Sequence, residues 1–167
     1  MATADLLDIS DDTIVRALRS YHGTDRRFEY KGSFQGVTVI DDYAHHPTEI
    51  TATLTTAQTI KTGTLWCTFQ PHTYSRTKSF LKDFAKALSL ADKIVLADIY
   101  AARETDNLGI SSETLQKEIQ ALGKECYYIS SFEKIEKFLL ENCTKDDTLI
   151  TMGAGDVYKI GESLVKK

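Results

Sequence analysis

The chain has no excess of basic residues, because 20 lysines and arginines stand against 24 aspartates and glutamates, for a net charge of −4. A broad basic surface that would hold a nucleic-acid backbone or an anionic membrane is therefore not expected. No apolar run approaches the roughly 18 to 20 residues that span a bilayer. Residues 1–8 lack the basic start and apolar segment of a signal peptide. These absences predict a cytoplasmic protein with neither nucleic acid nor membrane as a partner.

Two further absences concern chemistry. The three cysteines are odd in number, and two of them lie in or beside apolar runs, where a reduced thiol behaves as a small hydrophobe. We therefore expect structural thiols. No Gly-x-x-x-x-Gly-Lys-Ser/Thr loop occurs in the sequence, so the chain by itself cannot hold a nucleoside triphosphate in the P-loop manner. Any ATP chemistry requires a partner domain.

Five short runs of β-branched or aromatic residues alternate with stretches of helical periodicity. The runs are residues 37–40, 65–69, 94–97, 126–129 and 148–151. A strand followed by a helix, five times over, predicts a Rossmann-like three-layer α/β domain with a mainly parallel central sheet. Ahead of this core we predict a short helix at residues 10–21 and a β-hairpin whose loop spans residues 31–36.

Ligands of an open α/β sheet bind beyond the carboxyl ends of its strands, so the residues after each run are candidates for a site. Residues 41–49 (DDYAHHPTE) follow the first run and combine carboxylates, a phenol and imidazoles with the start of a helix. A structural interpretation is that Asp42 caps a turn, His46 caps the helix and Glu49 favours its positive end. We favour this interpretation for Glu49, and a role in the site for Asp42 and His45.

Three more polar segments follow later runs. In residues 69–77 (FQPHTYSRT), Arg76 opposes the dipole of the helix it begins, and its planar fork suits a carboxylate or phosphate. His72 either belongs to the site or bonds a carbonyl. Residues 98–109 form a long charged loop, either functional or merely solvated. Gly153 and Gly155 permit close approach of a ligand to the backbone, although a lone Gly-x-Gly turn is weak evidence.

These four segments, in this order, resemble the C-terminal domain of the Mur ligases, in particular of the family that joins L-alanine to UDP-N-acetylmuramate. The matching stretches are residues 41–49, 69–77, 98–104 and 152–156. The resemblance implies that residues 1–25 form the end of a central ATPase domain with its hinge, and that residues 26–167 form the amino-acid-binding domain. It also implies that Met1 marks the start of a fragment, which we expect to be inactive alone.

The resemblance implies an ATP-dependent ligase of peptidoglycan synthesis. ATP and Mg²⁺ phosphorylate the muramate carboxylate, and the amine of L-alanine then attacks the acyl phosphate to give an amide, ADP and phosphate. The fragment itself is expected to bind no cofactor tightly. The implied nucleotide-binding residues are Arg27 and Asp42. The implied residues on the amino-acid side are Tyr43, His45, His72, Arg76, Arg103 and Gly153, with Arg76 holding the carboxylate and His45 or His72 handling the proton. No metal ligand is assigned.

Three alternatives remain open at this point. The murein-peptide recycling Mur ligase shares the Asp-Asp-x-Ala-His-His-Pro segment, but residues 69–77 resemble the alanine-adding family instead. A non-catalytic nucleotide-binding module of Rossmann type would explain Gly153 and Gly155. A metal-dependent hydrolase would have to use His45, His46, Glu49 and His72, and nothing in the sequence indicates the second-shell partners that metal-ligating histidines need.

Overall fold

A computed structural model describes residues 2–21 and 23–167. Met1 and His22, both within the predicted segment 1–25, lie outside the described residues. One sheet has the strand order β1-β2-β6-β3-β4-β5, in which only β1 runs antiparallel to its neighbour. The prediction of a mainly parallel sheet is thus confirmed. The strands are β1 (Glu29–Phe34), β2 (Val37–Asp42), β3 (Leu65–Phe69), β4 (Lys93–Leu96), β5 (Glu125–Tyr128) and β6 (Thr148–Met152).

Each parallel strand is followed by one or two helices, as the sequence predicts. The helix predicted at residues 10–21 is also present, and a short helix ahead of it was not predicted. No helix in the described part of the chain has the length and apolarity to cross a membrane. The helices are α1 (Ala2–Leu6), α2 (Asp11–Ser20), α3 (Pro47–Ile60), α4 (Tyr74–Ser79), α5 (Leu81–Leu88), α6 (Ser112–Ala121), α7 (Phe132–Asn142) and α8 (Tyr158–Val165).

The three-layer arrangement follows from the alternation of side chains along each strand. On β3, Cys67 and Phe69 belong to an apolar core shared with α3, α5 and α6. Trp66, between them in sequence, belongs to a second core shared with α7 and α8. The strand is buried along its whole length because helices cover both faces of the sheet. Full burial of each large apolar side chain contributes about 1.5–3 kcal/mol.

The hairpin before the core is tighter than predicted. We expected a loop at residues 31–36, but β1 continues to Phe34 and the turn is only Gln35 and Gly36, with φ of 49° and 81°. The error arose at Gly32, which signals a loop in the sequence. In the structure Gly32 lies at a bulge, and a Cβ there would be 2.5 Å from Val165 Cγ1. The glycine serves the close packing of α8 on β1 rather than a turn.

The three cysteines are free and buried. Burial raises the pKa of the Cys126 thiol to about 12 and, with the nearby Asp147 carboxylate, raises that of Cys143 to about 12. A thiol with so high a pKa is not a nucleophile at neutral pH. These residues fill core volume, in agreement with the structural role predicted for them.

The Asp147 carboxylate connects the chain segments at the amino-terminal ends of β3 and β6. It accepts hydrogen bonds from Thr64 N (2.8 Å), Thr144 N (2.9 Å) and Trp66 Nε1 (3.2 Å), and the residue is 4% exposed. Burial alone would raise its pKa, but the bonds from Thr144, Thr64 and Trp66 outweigh burial and lower it. The ionised form therefore stabilises the fold.

We expect Asp147→Asn to lower the free energy of unfolding by about 2–3 kcal/mol, because one amide oxygen cannot replace two carboxylate oxygens and leaves a buried donor unsatisfied. The contribution of Asp147 is present above the unfolded-state pKa of about 3.9 and is lost as the pH falls through the lower folded-state value. Urea unfolding between pH 3 and 7 measures both effects. Asp146→Asn is the control, since Asp146 is exposed with a φ of 73° that asparagine tolerates. Equal losses in the two variants would contradict the prediction.

Candidate functional site

The carboxyl ends of four strands meet at one edge of the sheet. Met152 at the end of β6 is level with Asp42 at the end of β2 and with Phe69 at the end of β3, and Phe69 is level with Leu96 of β4. The residues that follow these positions are therefore neighbours, although they are far apart in sequence. This edge carries all four segments that the sequence singled out.

Four rings form a continuous row along this edge, which we call the aromatic row: Tyr43, His45, His72 and Tyr100. The distances between successive ring centroids are 5.3, 5.9 and 5.6 Å. Three of these residues were predicted for the site, and the structure brings them together. Tyr100 was not predicted. It lies in the segment after β4, and its ring stacks on His72 at an interplanar angle of 23°.

Two predicted site residues have buried polar atoms without a partner in the described part of the chain. They are Arg76 Nη1 and His72 Nδ1. Leaving a buried donor or acceptor unsatisfied costs about 1–3 kcal/mol, and more for a charged group, so such atoms are rare in folded proteins. Thr68 Oγ1, inside β3, is a third such atom, but only Arg76 and His72 lie at the strand-end edge, where a polar or anionic ligand can supply the missing partners.

The backbone before Arg76 is strained. Thr73, the N-cap of α4, has φ 65° and ψ 144°, which is rare for a β-branched residue. Local hydrogen bonds hold it there: its carbonyl accepts from Thr77 Oγ1 (2.7 Å), and its amide donates to the Tyr100 carbonyl (2.9 Å). Strain at a site is expected where geometry is fixed for function. Here it sets the direction of the helix that carries Arg76.

Glu104 joins the charged loop to the start of the same helix. Its carboxylate accepts hydrogen bonds from the Ser75 hydroxyl and from Ser75 N (3.0 Å). The Ser75 hydroxyl bond is the main reason that the pKa of Glu104 is lowered. The loop after β4 is therefore attached to α4, beside Arg76.

The two histidines of the aromatic row differ in their surroundings. Burial, followed by the charge of Arg76, lowers the pKa of His72, so the ring is neutral at neutral pH. His45 Nδ1 lies 3.0 Å from the Tyr43 carbonyl and 3.4 Å from Glu49 Oε2. Both acceptors lie on the Nδ1 side of the His45 ring, so they favour a proton on Nδ1.

The structural interpretation holds for the start of α3. His46 Nδ1 accepts from Thr48 N, Glu49 Oε2 accepts from the amides of His45 (3.0 Å) and His46 (3.2 Å), and Pro47 is the first helical residue. Asp42 is 6% exposed. Its two oxygens accept from Ala44 N (2.7 Å) and Phe28 N (2.9 Å). Asp42 thus connects the segment before β1 to the site.

The hydrolase alternative lacks a converging set of ligands. The ring of His46 turns to Phe80, with a centroid distance of 4.9 Å, rather than into the aromatic row. Within residues 2–21 and 23–167, no group of three or more His, Cys, Asp or Glu side chains is placed to hold a metal ion. A cavity of about 520 Å³ beside His46, Phe80 and Leu90 lies between α3 and α5 rather than along the row.

The remaining predicted residues occupy different places. Arg27 is exposed, with its guanidinium 5.9 Å from the centre of the Tyr43 ring. Arg103 is exposed in the charged loop and takes part in none of the hydrogen bonds or ion pairs found among the described residues. Gly153 has a φ of 145°, and a Cβ there would be 2.7 Å from the Gln70 carbonyl oxygen. The protein's own backbone therefore requires glycine at this position.

Besides Tyr100, sequence reasoning missed two residues that organise the edge. Gln70 Oε1 accepts from Asp156 N (2.9 Å), which fixes the turn after β6 against the end of β3. The Arg26 guanidinium pairs with Asp41 (3.0 Å) and donates to the Gly153 carbonyl (2.5 Å). The signal for Arg26 was the pair of consecutive arginines, of which only Arg27 was assigned a role.

The chain is similar to known ligases in sequence and in fold. The chain is 59% identical, over its whole length, to a UDP-N-acetylmuramate--L-alanine ligase of Lachnoclostridium phytofermentans, and it spans 36% of that protein. A crystal structure of UDP-N-acetylmuramate-alanine ligase from Thermotoga maritima superposes with a TM-score of 0.78 at 28% identity, covering 99% of this chain and 35% of that one. A murein peptide ligase from Psychrobacter arcticus gives 0.70 at 25% identity, covering 99% and 34%.

A sequence profile of one family matches most of the chain. The profile describes the Mur ligase, glutamate ligase domain, and it matches residues 26–155. This range contains the first three segments of the strand-end edge, residues 152–155 of the fourth, the aromatic row and the unpaired atoms of Arg76 and His72. On this evidence, the chain belongs to the Mur ligase family, and residues 26–155 correspond to the domain that the profile describes as the glutamate ligase domain.

Proposed function

We propose that this domain binds L-alanine and completes the ATP site of a ligase that joins L-alanine to UDP-N-acetylmuramate. The observation that carries the proposal is that two buried atoms without hydrogen-bond partners, Arg76 Nη1 and His72 Nδ1, both lie at an edge lined by the aromatic row. We take the identity of the amino acid, L-alanine, from the named activity of the Lachnoclostridium relative. Because the chain spans 36% of that relative, the other substrates belong to further domains.

The amino acid is oriented through its carboxylate. A guanidinium offers a planar fork that pairs with a carboxylate at two points, and Arg76 has an unsatisfied arm at the site. Holding the carboxylate leaves the amine directed towards an acyl phosphate supplied from a partner domain, and such positioning lowers the barrier by converting an encounter into an intramolecular step. The released proton passes to His72 or His45, both of which keep an acceptor nitrogen.

The nucleotide side is formed by Arg27 and Asp42. Arg27 is exposed beside Tyr43, where its charge can reach phosphate oxygens brought by another domain. Asp42 fixes the segment that carries Arg27 through its bond from Phe28 N, and its oxygens retain further lone pairs for the nucleotide. We assign the Mg²⁺ that accompanies ATP to the P-loop domain, because in P-loop enzymes the Ser/Thr of that loop and a Walker-B Asp hold the ion.

The same proposal divides the chain. Residues 1–25 form the end of the ATPase domain and the hinge, and residues 26–167 form the amino-acid-binding domain. Arg103 and Gly153 remain on the amino-acid side of the cleft, Gly153 through its backbone. Since ATP and a UDP-linked sugar are metabolites of the cytoplasm, we place the ligase there. Murein-peptide recycling is not favoured, because of the named activity of the Lachnoclostridium relative and residues 69–77.

The test is a hybrid ligase, in which this chain replaces the matching segment of the Lachnoclostridium ligase. We expect the hybrid to release phosphate from ATP in the presence of UDP-N-acetylmuramate and L-alanine, and the isolated chain to release none, because it lacks a P-loop. A hybrid that uses a preformed peptide but not L-alanine would overturn the proposal.

Arg76→Lys in the hybrid ligase tests the carboxylate contact. Lysine keeps the charge but not the two-point geometry, so we expect the KM for L-alanine to rise about 10- to 100-fold, equivalent to about 1.4–2.7 kcal/mol. The KM for ATP should change less than about twofold. Lys82→Met is the matched control, because Lys82 is exposed on α5 and away from the site. An unchanged KM for L-alanine in Arg76→Lys would remove the assignment.

Arg27→Met should produce the opposite pattern. Loss of a phosphate contact is expected to raise the KM for ATP about tenfold while the KM for L-alanine stays within about twofold. Steady-state kinetics with each substrate varied in turn measure the contrast. If the KM for L-alanine rises and that for ATP does not, Arg27 belongs to the amino-acid side instead.

The lowered pKa of His72 predicts a pH dependence. The neutral ring accepts the proton, so kcat/KM for L-alanine should fall as the pH drops through the His72 pKa, which lies below the usual value of about 6.5. We expect His72→Asn to reduce kcat/KM and to remove this acidic limb. An unchanged limb in His72→Asn would assign the proton to another group, and His45→Asn then tests the other histidine.

A further inference from the structure

Arg26 lies at the junction of the hinge segment and the site, in an unusual conformation. Its φ is 57°, a left-handed value that non-glycine residues adopt rarely. Its guanidinium lies between two tyrosine rings, 4.9 Å from the centre of Tyr43 and 4.7 Å from that of Tyr158. A guanidinium stacks well on aromatic faces because it is planar and weakly hydrated.

The polar atoms of the same guanidinium point to two different elements. Nε donates to Asp41 Oδ2 (3.0 Å) on β2, and Nη2 donates to the Gly153 carbonyl (2.5 Å) in the turn after β6. Asp41 is fully buried, and its other oxygen accepts from Thr151 Oγ1 (2.6 Å). One side chain therefore joins the segment before β1 to the ends of β2 and β6.

The main chain of Arg26 adds a second link to the site. Its carbonyl accepts from Tyr43 N (2.8 Å), and its amide donates to Glu29 Oε2 (2.9 Å). Tyr43 is thus held by its backbone and by its ring, and Tyr43 is the first member of the aromatic row, 5.3 Å from His45. A shift of Arg26 would move Tyr43 and, through it, the neighbouring histidine.

We propose that Arg26 is a positioning residue, whose stacked and forked guanidinium sets the place of Tyr43 and so the shape of the amino-acid pocket next to the hinge. This inference rests on the proposed function, since it concerns how the pocket for L-alanine is formed. Arg26 itself is not required to touch the amino acid. Its neighbour Arg27 faces the nucleotide, so the segment that carries the phosphate contact also fixes the pocket.

A lysine at position 26 separates positioning from simple charge pairing. Lysine keeps a positive charge near the buried Asp41, but a single ammonium cannot pair with Asp41, donate to Gly153 and stack between two rings at once. In the hybrid ligase we expect Arg26→Lys to raise the KM for L-alanine about tenfold. The kcat at saturating L-alanine and the KM for ATP should stay within about twofold. Tyr158→Leu, which removes one ring without changing charge, should raise the same KM by a smaller factor.

The matched control is Lys61→Met. Lys61 pairs with Asp92 and has a side-chain exposure of 23%, close to the 21% of Arg26, but it lies at the end of α3, away from the aromatic row. This variant should lower the thermal unfolding midpoint by a few degrees at most and leave every KM unchanged. Thermal unfolding of all three variants shows how much stability each change removes.

The outcomes distinguish this inference from the proposed function. A raised KM for L-alanine in Arg26→Lys with nearly unchanged kcat supports positioning, because loss of folded enzyme lowers the apparent kcat without raising KM. An unchanged KM for L-alanine in both Arg26→Lys and Tyr158→Leu, while Arg76→Lys raises it, overturns the positioning role alone. A hybrid without any L-alanine-dependent activity counts against the proposed function itself.

Discussion

Because β6 pairs with β2 on one side and with β3 on the other, the ends of these strands are level, and everything at the edge depends on that register. A shift of one residue would turn each following side chain to the opposite face of the sheet. The register is fixed from both ends. Asp147 ties the start of β6 to the chain before β3, and Gln70 ties the turn after β6 to the end of β3. The site is therefore a property of the sheet rather than of any one loop.

At this edge, some polar side chains are hydrogen-bonded within the domain, and others keep a buried atom without a partner. Asp42, Glu49 and Gln70 each accept hydrogen bonds from backbone amides within the domain. Arg76 and His72 each retain a buried atom without a partner. Because an unsatisfied buried atom destabilises the fold, its retention needs a reason outside the folding of this domain. Thr68 Oγ1, inside β3, is also unsatisfied, so it is the place of the Arg76 and His72 atoms at the strand-end edge that matches the proposed binding of the amino acid, whereas Asp42 serves both the fold and the proposed nucleotide site.

Much of this arrangement was predictable from the sequence, and the remainder depends on distant contacts. The apolar and aromatic run at residues 65–69 predicted the strand, and the rule that ligands bind at strand ends predicted the segments that contain Arg76 and His72. Their roles came from resemblance to a family rather than from spacing. Gly32 misled the prediction, because a glycine at a bulge and a glycine in a loop look alike in one sequence. Arg26 was missed because its partner Gly153 lies 127 residues away.

The backbone of Thr73 limits how this pocket can be changed. Arg76 is four residues after His72, and the turn between them is held by a left-handed threonine and its hydrogen bonds. Adding or removing one residue between Tyr74 and Arg76, inside α4, would move Arg76 by about 100° around the helix axis and carry the guanidinium away from the imidazole. Exchanges of exposed side chains along the edge, such as Tyr100, leave this turn intact, whereas a change in its length would not.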